Sequence, residues 1–273
     1  MDAKVGYDRV VSFEAALTGD ESSRLAAPES GAFESWSRIE FRDVCFTYPQ
    51  QDTESTFSIG PVNLVLERGQ TYFICGGNGS GKSTFAKLLC GLYAPSEGTI
   101  LVDDEPLVSP LQWQAYRNLF TTIFSDLYLF PDILDQDGQL YRDQAEINAM
   151  LQQMQMAHKV DVTDGRFSTT NLSQGQRKRL ALIQSQLEAA PVCLFDEWAA
   201  DQDPFFRRQF YRDLLPRLRD ENRLVVAITH DDAYFEHCDR LFKFDLGKVT
   251  EVRPEQRLGL DFQQDSHDLK RSA

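Results

Sequence analysis

The stretch Gly76-Gly77-Asn78-Gly79-Ser80-Gly81-Lys82-Ser83-Thr84 constrains this chain more than any other part of it. It fits the spacing GxxxxGK[ST] and lies between a short apolar run, TYFIC, and a segment of helical pattern. That order of strand, loop and helix is what a phosphate-binding turn requires. Glycines let the main chain wrap closely around phosphate oxygens, and exposed N–H groups at the positive end of the following helix attract the anion. In such a loop Lys82 reaches the β- and γ-phosphates and the Ser83 hydroxyl faces Mg2+. The pattern therefore reads as nucleotide binding. An ordinary glycine-rich turn is the alternative, and the flanking strand and helix disfavour it.

A second apolar run, Pro191-Val192-Cys193-Leu194-Phe195, ends in Asp196-Glu197. Four apolar residues carry the chain through a sheet and deliver two acids at its carboxyl end, where nucleotide phosphates sit in open α/β sheets. Asp196 is placed to hold the water shell of Mg2+, and Glu197, one residue further out, to polarise the water that attacks the γ-phosphate. The run LVVAI ends likewise in Thr229-His230, where an imidazole can donate a hydrogen bond to the γ-phosphate. Taken alone, His230 would read as a surface residue.

The 273 residues are 42% hydrophobic and 26% charged, which suits one large domain or a domain with a subdomain. A net charge of -14, from 28 basic and 42 acidic residues, argues against a nucleic-acid partner or an anionic lipid surface. Five cysteines, odd in number and mostly set in apolar runs without metal-site spacing, read as free thiols of a reducing compartment. The sequence shows neither a signal peptide nor an apolar run of about 18 residues, so the chain itself is expected to be soluble.

Along the chain, residues 1–19 have the spacing of a short helix and lead through a polar linker to residue 32. The folded domain is expected over 33–253. RIEFRDVCFTYP and FSIGPVNLVLE alternate like half-buried antiparallel strands, and GTILVD and RNLFTTIFS read as further strands. From Asp126 to Lys159 the pattern predicts a helical insertion, which with the next helix makes a helical subdomain over about 126–189. A helix over Pro204 to Leu218, the strand RLVVAITH and a strand pair around LFKFDLGKVTEV complete the domain, and 254–273 reads as a loose tail. Strands alternating with helices imply a mostly parallel sheet.

One stretch resists a purely local reading: LSQGQRKR, residues 172–179, opens a long helix with polar and glycine residues and three positive charges. Taken in order with the aromatic Tyr48 of CFTYP, the phosphate loop, the Asp196-Glu197 strand end, the acidic turn at Asp203 and His230, it resembles the signature of the nucleotide-binding domain of ABC transporters. The resemblance covers about residues 38–252. It implies an α/β fold: a P-loop NTPase core of the ABC type, with a mostly parallel sheet, an N-terminal antiparallel β subdomain and a helical subdomain.

The resemblance further implies ATP as ligand with Mg2+ as cofactor, Tyr48 stacking on adenine, and Leu172, Ser173, Gln174, Gly175 and Gln176 contacting the γ-phosphate held by a second copy. Asp203 would run along the interface of that ATP-sandwich homodimer, though before Pro204 it also suits a helix N-cap. A monomer is then expected to bind ATP and hydrolyse it poorly. Of Arg177, Lys178 and Arg179, at least two are expected to be solvated or paired with acids rather than to face phosphate. Three residues depart from the family's pattern: Gln174 stands where Gly is commonest, Ser125 where a metal-facing Gln is usual, and Trp198 in a turn usually built of small residues.

FSDLYLF, LSQGQRKRLAL and DEWAADQDP are similar to the branch that exports cyclic and siderophore-type peptides, including the pyoverdine-type transporters. In that branch a transmembrane domain precedes this one, which would make residues 1–19 a connector and place the domain at the cytoplasmic face of the inner membrane; an ordinary surface helix accounts for that spacing equally well. The alternatives are a stand-alone ATPase subunit of another ABC transporter, a non-transport ATPase of this superfamily, and a degenerate regulatory nucleotide binder.

Overall fold

The computed structural model describes Phe33, residues 35–48 and residues 57–257. The expected connector and linker over 1–32, and the tail beyond Arg257, lie outside the described residues. The chain runs through β1 (Arg38–Thr47), β2 (Ser58–Glu67), β3 (Thr71–Gly76), α1 (Lys82–Leu89), β4 (Glu97–Val102), β5 (Glu105–Pro106) and α2 (Pro110–Arg117). It continues through β6 (Phe120–Ile123), α3 (Gln144–Gln153), β7 (Val162–Thr163), β8 (Arg166–Phe167), α4 (Gln174–Glu188) and β9 (Val192–Asp196). The last elements are α5 (Pro204–Gln209), α6 (Leu215–Asp220), β10 (Leu224–Ile228), β11 (Arg240–Asp245) and β12 (Lys248–Val252).

Two hydrophobic patterns make two main sheets. The alternating strands pair antiparallel in the order β2-β1-β4-β5. The continuous apolar runs form the second sheet, ordered β12-β11-β3-β10-β9-β6, in which all neighbours are parallel except the β11–β12 hairpin. Parallel strands must be covered on both faces, which is why every residue of β3, β9 and β10 is buried. Alternate side chains serve two cores. Tyr72, Ile74, Leu194 and Val226 join a cluster with the antiparallel sheet and α1, whereas Phe73, Cys75, Phe195 and Val225 join one with α3, α4 and the helices after β9.

The expected helical insertion over Asp126 to Lys159 is helical at α3 but not along its whole length. Two isolated bridges, Asp132 with Arg166 and Leu134 with Leu140, brace the segment before it. α2 is not among the expected elements, although Ser109-Pro110-Leu111-Gln112 is its signal: the Ser109 hydroxyl and Gln112 carboxamide form a capping box and Pro110 opens the helix. Between α5 and α6 the helix widens into a π turn, Phe210–Leu214, just ahead of Pro216, whose ring and missing N–H an unbroken α-helix would not accommodate.

The β11–β12 turn supports the phosphate loop from behind. Leu246 and Gly247 both take positive φ, the Gly247 N–H donates to Ser80 O at 3.0 Å, and a Cβ on Gly247 would lie 2.3 Å from Ser58 O. Phe244, fully buried on β11, meets Phe85 of α1 with ring centroids 5.0 Å apart. Phe244→Ala is therefore expected to cost about 3–5 kcal/mol of unfolding free energy in chemical denaturation. A loss below about 1 kcal/mol would show that the hairpin is not part of the cooperative core.

Candidate nucleotide site

The parallel register brings four strand ends to one edge of the sheet. Ile228 pairs with both Ile74 and Asp196, and Ile123 pairs with Phe195. The next residues therefore emerge side by side: the phosphate loop after β3, Thr229-His230 after β10, Glu197 after Asp196 of β9, and Ser125 after β6. Two main-chain bonds tie these ends together, from Thr229 N–H to Ile74 O at 2.9 Å and from Glu197 N–H to Ile228 O at 3.0 Å.

In the loop, Gly76 takes φ 139° and its absent Cβ would lie 2.1 Å from Phe244 O, while Gly81, at φ 110°, faces Ile59 and Phe57. Only glycine fits either place. Gly77, Asn78 and Gly79 line the open side, and Ser80 is buried with its hydroxyl unpartnered. Lys82 folds back into the loop, donating to Gly76 O and Gly77 O at 2.9 Å each. Two of its three ammonium protons are thereby used, leaving one donor for a ligand. Burial lowers the Lys82 pKa, and the nearby Glu197 and Asp196 carboxylates oppose that shift.

Tyr48 borders the same loop, its hydroxyl 3.1 Å from Thr84 Oγ1. Its ring is held edge-on to Phe46 and Tyr93, and it shares with Phe57 and Gly79 to Thr84 a cleft of about 370 Å3. One face of the cleft is thus aromatic and the other is a row of main-chain N–H donors, a pairing that accepts a base and its phosphates.

Asp196 is 1% exposed, and one of its oxygens, Oδ1, has no hydrogen-bond partner. The other accepts from the Ser125 hydroxyl at 3.3 Å, and the Ser83 hydroxyl lies near enough to help hold the carboxyl pKa down. A buried carboxylate with a free lone pair, flanked by two hydroxyls and the phosphate loop, fits a hard divalent cation such as Mg2+. Burial foremost, and then the Glu197 carboxylate, raises the Asp196 pKa from its ordinary value, while Ser125 and Ser83 pull it down. Glu197 itself sits at φ 52°, ψ 37°, with Oε1 3.2 Å from His230 Nε2.

The remaining expected residues form a second cluster. Ser173 caps α4, its hydroxyl accepting from Gln176 N–H at 3.4 Å while the Gln176 carboxamide accepts from Ser173 N–H at 3.3 Å. Gly175 is required because a Cβ there would lie 2.5 Å from Asp201 O, and its carbonyl accepts from Gln202 Nε2 at 3.1 Å. Asp203 caps α5 through Phe205 N–H and Phe206 N–H, and pairs with Arg179 at 2.8 Å. Arg177 donates to Leu172 O, and Lys178 pairs with Asp201, so two of the three cations are acid-paired. Two contacts join this cluster to the first, Gln174 Nε2 to Ser125 O at 3.4 Å and Lys178 Nζ to Glu197 O at 2.7 Å.

Sequence reasoning leaves Trp198 without a role. It is buried, stacks on Phe210 with centroids 4.6 Å apart, and donates from Nε1 to Lys178 O at 2.8 Å, so it packs the turn after Glu197 onto α4.

The family described as ABC transporter matches residues 59–200. The chain is 41% identical over 217 residues to the ATP-binding protein SyrD of Pseudomonas syringae pv. syringae, covering 79% of this chain and 38% of that protein. It is 30% identical over 243 residues to the ATP-dependent lipid A-core flippase of Bordetella avium, covering 85% and 39%. The chain thus spans well under half the length of these curated relatives. Among solved structures, a bacterial Atm1-family ABC exporter with ATP bound superposes with TM-score 0.62 at 24% identity, over 79% of this chain and 38% of that one. The cbiO1 protein of Clostridium perfringens, part of an ABC transporter complex, superposes with TM-score 0.59 at 26% identity, over 78% and 86%. A dimeric ATP-binding cassette in a post-hydrolysis state, with ADP and Pi, gives TM-score 0.63 at 19% identity, over 79% and 99%, a likeness of fold.

The raised Asp196 pKa has a consequence for stability. The folded chain holds that proton more tightly than the unfolded chain, so stability is lost as pH rises from the ordinary carboxylate value of about 4 through the folded value. In metal-free buffer Asp196→Asn should remove this fall, and its melting temperature relative to the wild type should rise with pH across that window. A pH-independent difference would contradict the assignment.

Proposed function

The chain belongs to the ABC transporter family, and from that membership we propose that it binds ATP with Mg2+, pairs with a second copy around the nucleotide, and hydrolyses it to drive an exporter. The observation that carries this reading is the convergence of four parallel strand ends on the phosphate loop, with the α4 cluster beside them. In this reading Tyr48 stacks on adenine, the N–H groups of Gly77 to Ser83 and the third proton of Lys82 hold the phosphates, and Ser83, Asp196 and Ser125 hold Mg2+. Bound there, Mg2+ supplies charge neutralisation at the β- and γ-phosphate oxygens. Ser125 is shorter than a carboxamide, yet its hydroxyl already lies against Asp196, which keeps a polar contact on that side.

Glu197 accepts a proton from water as the water oxygen bonds to the γ-phosphorus and the bond to the bridging oxygen of ADP breaks. His230 Nε2, 3.2 Å from Glu197 Oε1, holds that carboxylate through its ring N–H. Ser173, the N–H groups near Gly175, and Gln176 meet the γ-phosphate bound by the other copy, with Asp203 along the shared surface.

Exposed Tyr128 and Phe130, which follow Ser125 in the chain and border a groove of about 350 Å3 over Gln184 and Glu188, suit a contact with a membrane domain. No helix among the described residues is long and apolar enough to cross a membrane. In this reading the membrane domain is a partner of this one, which works at the cytoplasmic face of the inner membrane. The likeness to the lipid A-core flippases supports export, and the branch motifs support a peptide or siderophore-like cargo.

Glu197→Gln should bind ATP as well as the wild type, lose at least about 100-fold in phosphate release, and accumulate as a dimer with ATP in size-exclusion chromatography. Wild-type turnover in that variant would sink the assignment. Tyr48→Ala should weaken ATP binding by about 1–3 kcal/mol in titration calorimetry.

A further inference from the structure

Lys178 is a lysine in an apolar setting, with its side chain 1% exposed on the inner face of α4. Its ammonium lies 2.6 Å from Asp201 Oδ2 and 2.7 Å from the carbonyl oxygen of Glu197. Its own main-chain carbonyl accepts the Trp198 indole N–H at 2.8 Å. One residue of the helix that begins with the Ser173 cap therefore grips the turn 197–201 at three points. Burying a lysine for stability alone is a poor choice, because an apolar residue of similar volume would fill the space without desolvating a charge.

The turn it grips begins with a costly conformation. Glu197 occupies the left-handed region, which disfavours non-glycine residues, and its main chain is held there from two sides: the N–H by Ile228 O and the C=O by Lys178. With both peptide groups fixed, the direction in which the Glu197 side chain leaves the backbone is fixed as well. Gln174, one turn earlier on the same helix, reaches Ser125 O. One face of α4 thus touches both the loop of the metal-facing hydroxyl and the residue carrying the carboxylate.

We propose that Lys178 is a positioning residue for hydrolysis: it holds Glu197 in its left-handed conformation, aims the carboxylate, and ties that aim to the signature end of α4. The proposal rests on the reading of Glu197 as the base. Movement of the signature when a second copy docks would then be transmitted through Lys178 to the carboxylate, giving the dimer a direct grip on turnover.

The test uses the full-length protein. Lys178→Met should lower kcat for ATP hydrolysis by at least about tenfold while KM and the affinity for a non-hydrolysable ATP analogue stay within about threefold. Lys178→Arg, which keeps a charged donor, should recover part of kcat. In a Glu197→Gln background, adding Lys178→Met should cost nothing further in turnover, since the group it aims is gone. Should Lys178→Met not fold, the pair Lys178→Met with Asp201→Leu removes both charges together and carries the same readouts. Wild-type kcat in a folded Met variant, or equal loss of kcat and nucleotide affinity, would overturn the proposal. If Glu197→Gln itself turned over normally, the reading of Glu197 as base would fail, and the proposal with it; an inactive Glu197→Gln beside a fully active Lys178→Met would overturn the positioning role alone.

Discussion

The parallel pairing of β3, β10, β9 and β6 is the constraint on which everything at the site depends. No single strand has a site, and no pair of them completes one. Register places Ile74, Ile228 and Asp196 in one row, so the backbone leaves the sheet at the same height on three neighbouring strands. A slip of one residue would also turn Phe73 and Cys75 into the core that Tyr72 and Ile74 occupy. The two cores, each fed by alternate residues of the same strands, therefore fix the register that the chemistry needs.

Charge balance is a consequence of that geometry. Asp196 and Glu197 are adjacent in sequence and lie at the edge of the sheet, where the burial of Asp196 and the neighbouring Glu197 carboxylate both disfavour ionisation of Asp196. One lysine opposes this charge, and a second braces the turn that carries it. Lys82 reaches in from the phosphate loop and feels both carboxylates, and Lys178 reaches from α4 to the backbone of Glu197 and to Asp201. Lys82 thus keeps a buried cation where the nucleotide would meet acid side chains, so a net charge of -14 is compatible with anion binding.

Some of this is legible in the sequence and some is not, for physical reasons. The phosphate loop, Asp196-Glu197 and Thr229-His230 are readable because each is a local pattern at the end of an apolar run, and a run of that kind has few fates other than a buried strand. The role of Lys178 is not, because three cations in a row give no sign of which one α4 turns inward. Trp198 stands out as a departure but not as a brace, since its partner, the Lys178 carbonyl, is 20 residues away. The support of the phosphate loop by Gly247 spans an even longer separation. The insertion reads as more helical than it is because Gln, Met and Leu raise helix propensity, whereas bridges at Asp132 and Leu134 hold extended backbone there.

The start of α4 is built in two layers. In the single chain, Ser173 and Gln176 satisfy one another through bonds of 3.3–3.4 Å on an exposed helix start, at the long end of useful hydrogen-bond distance. Such bonds are easily exchanged for a charge-assisted bond to a phosphate oxygen, which is shorter and about twice as strong. The groups behind them are held differently: Gly175 packs against Asp201 O, Arg179 pairs with Asp203, and Lys178 is buried. The outer layer of the turn is thus free to change partners, while the inner layer is fixed to the turn that carries Glu197. An anion docking on Ser173 would load a rigid lever rather than a loose end, and its other end is the carboxylate.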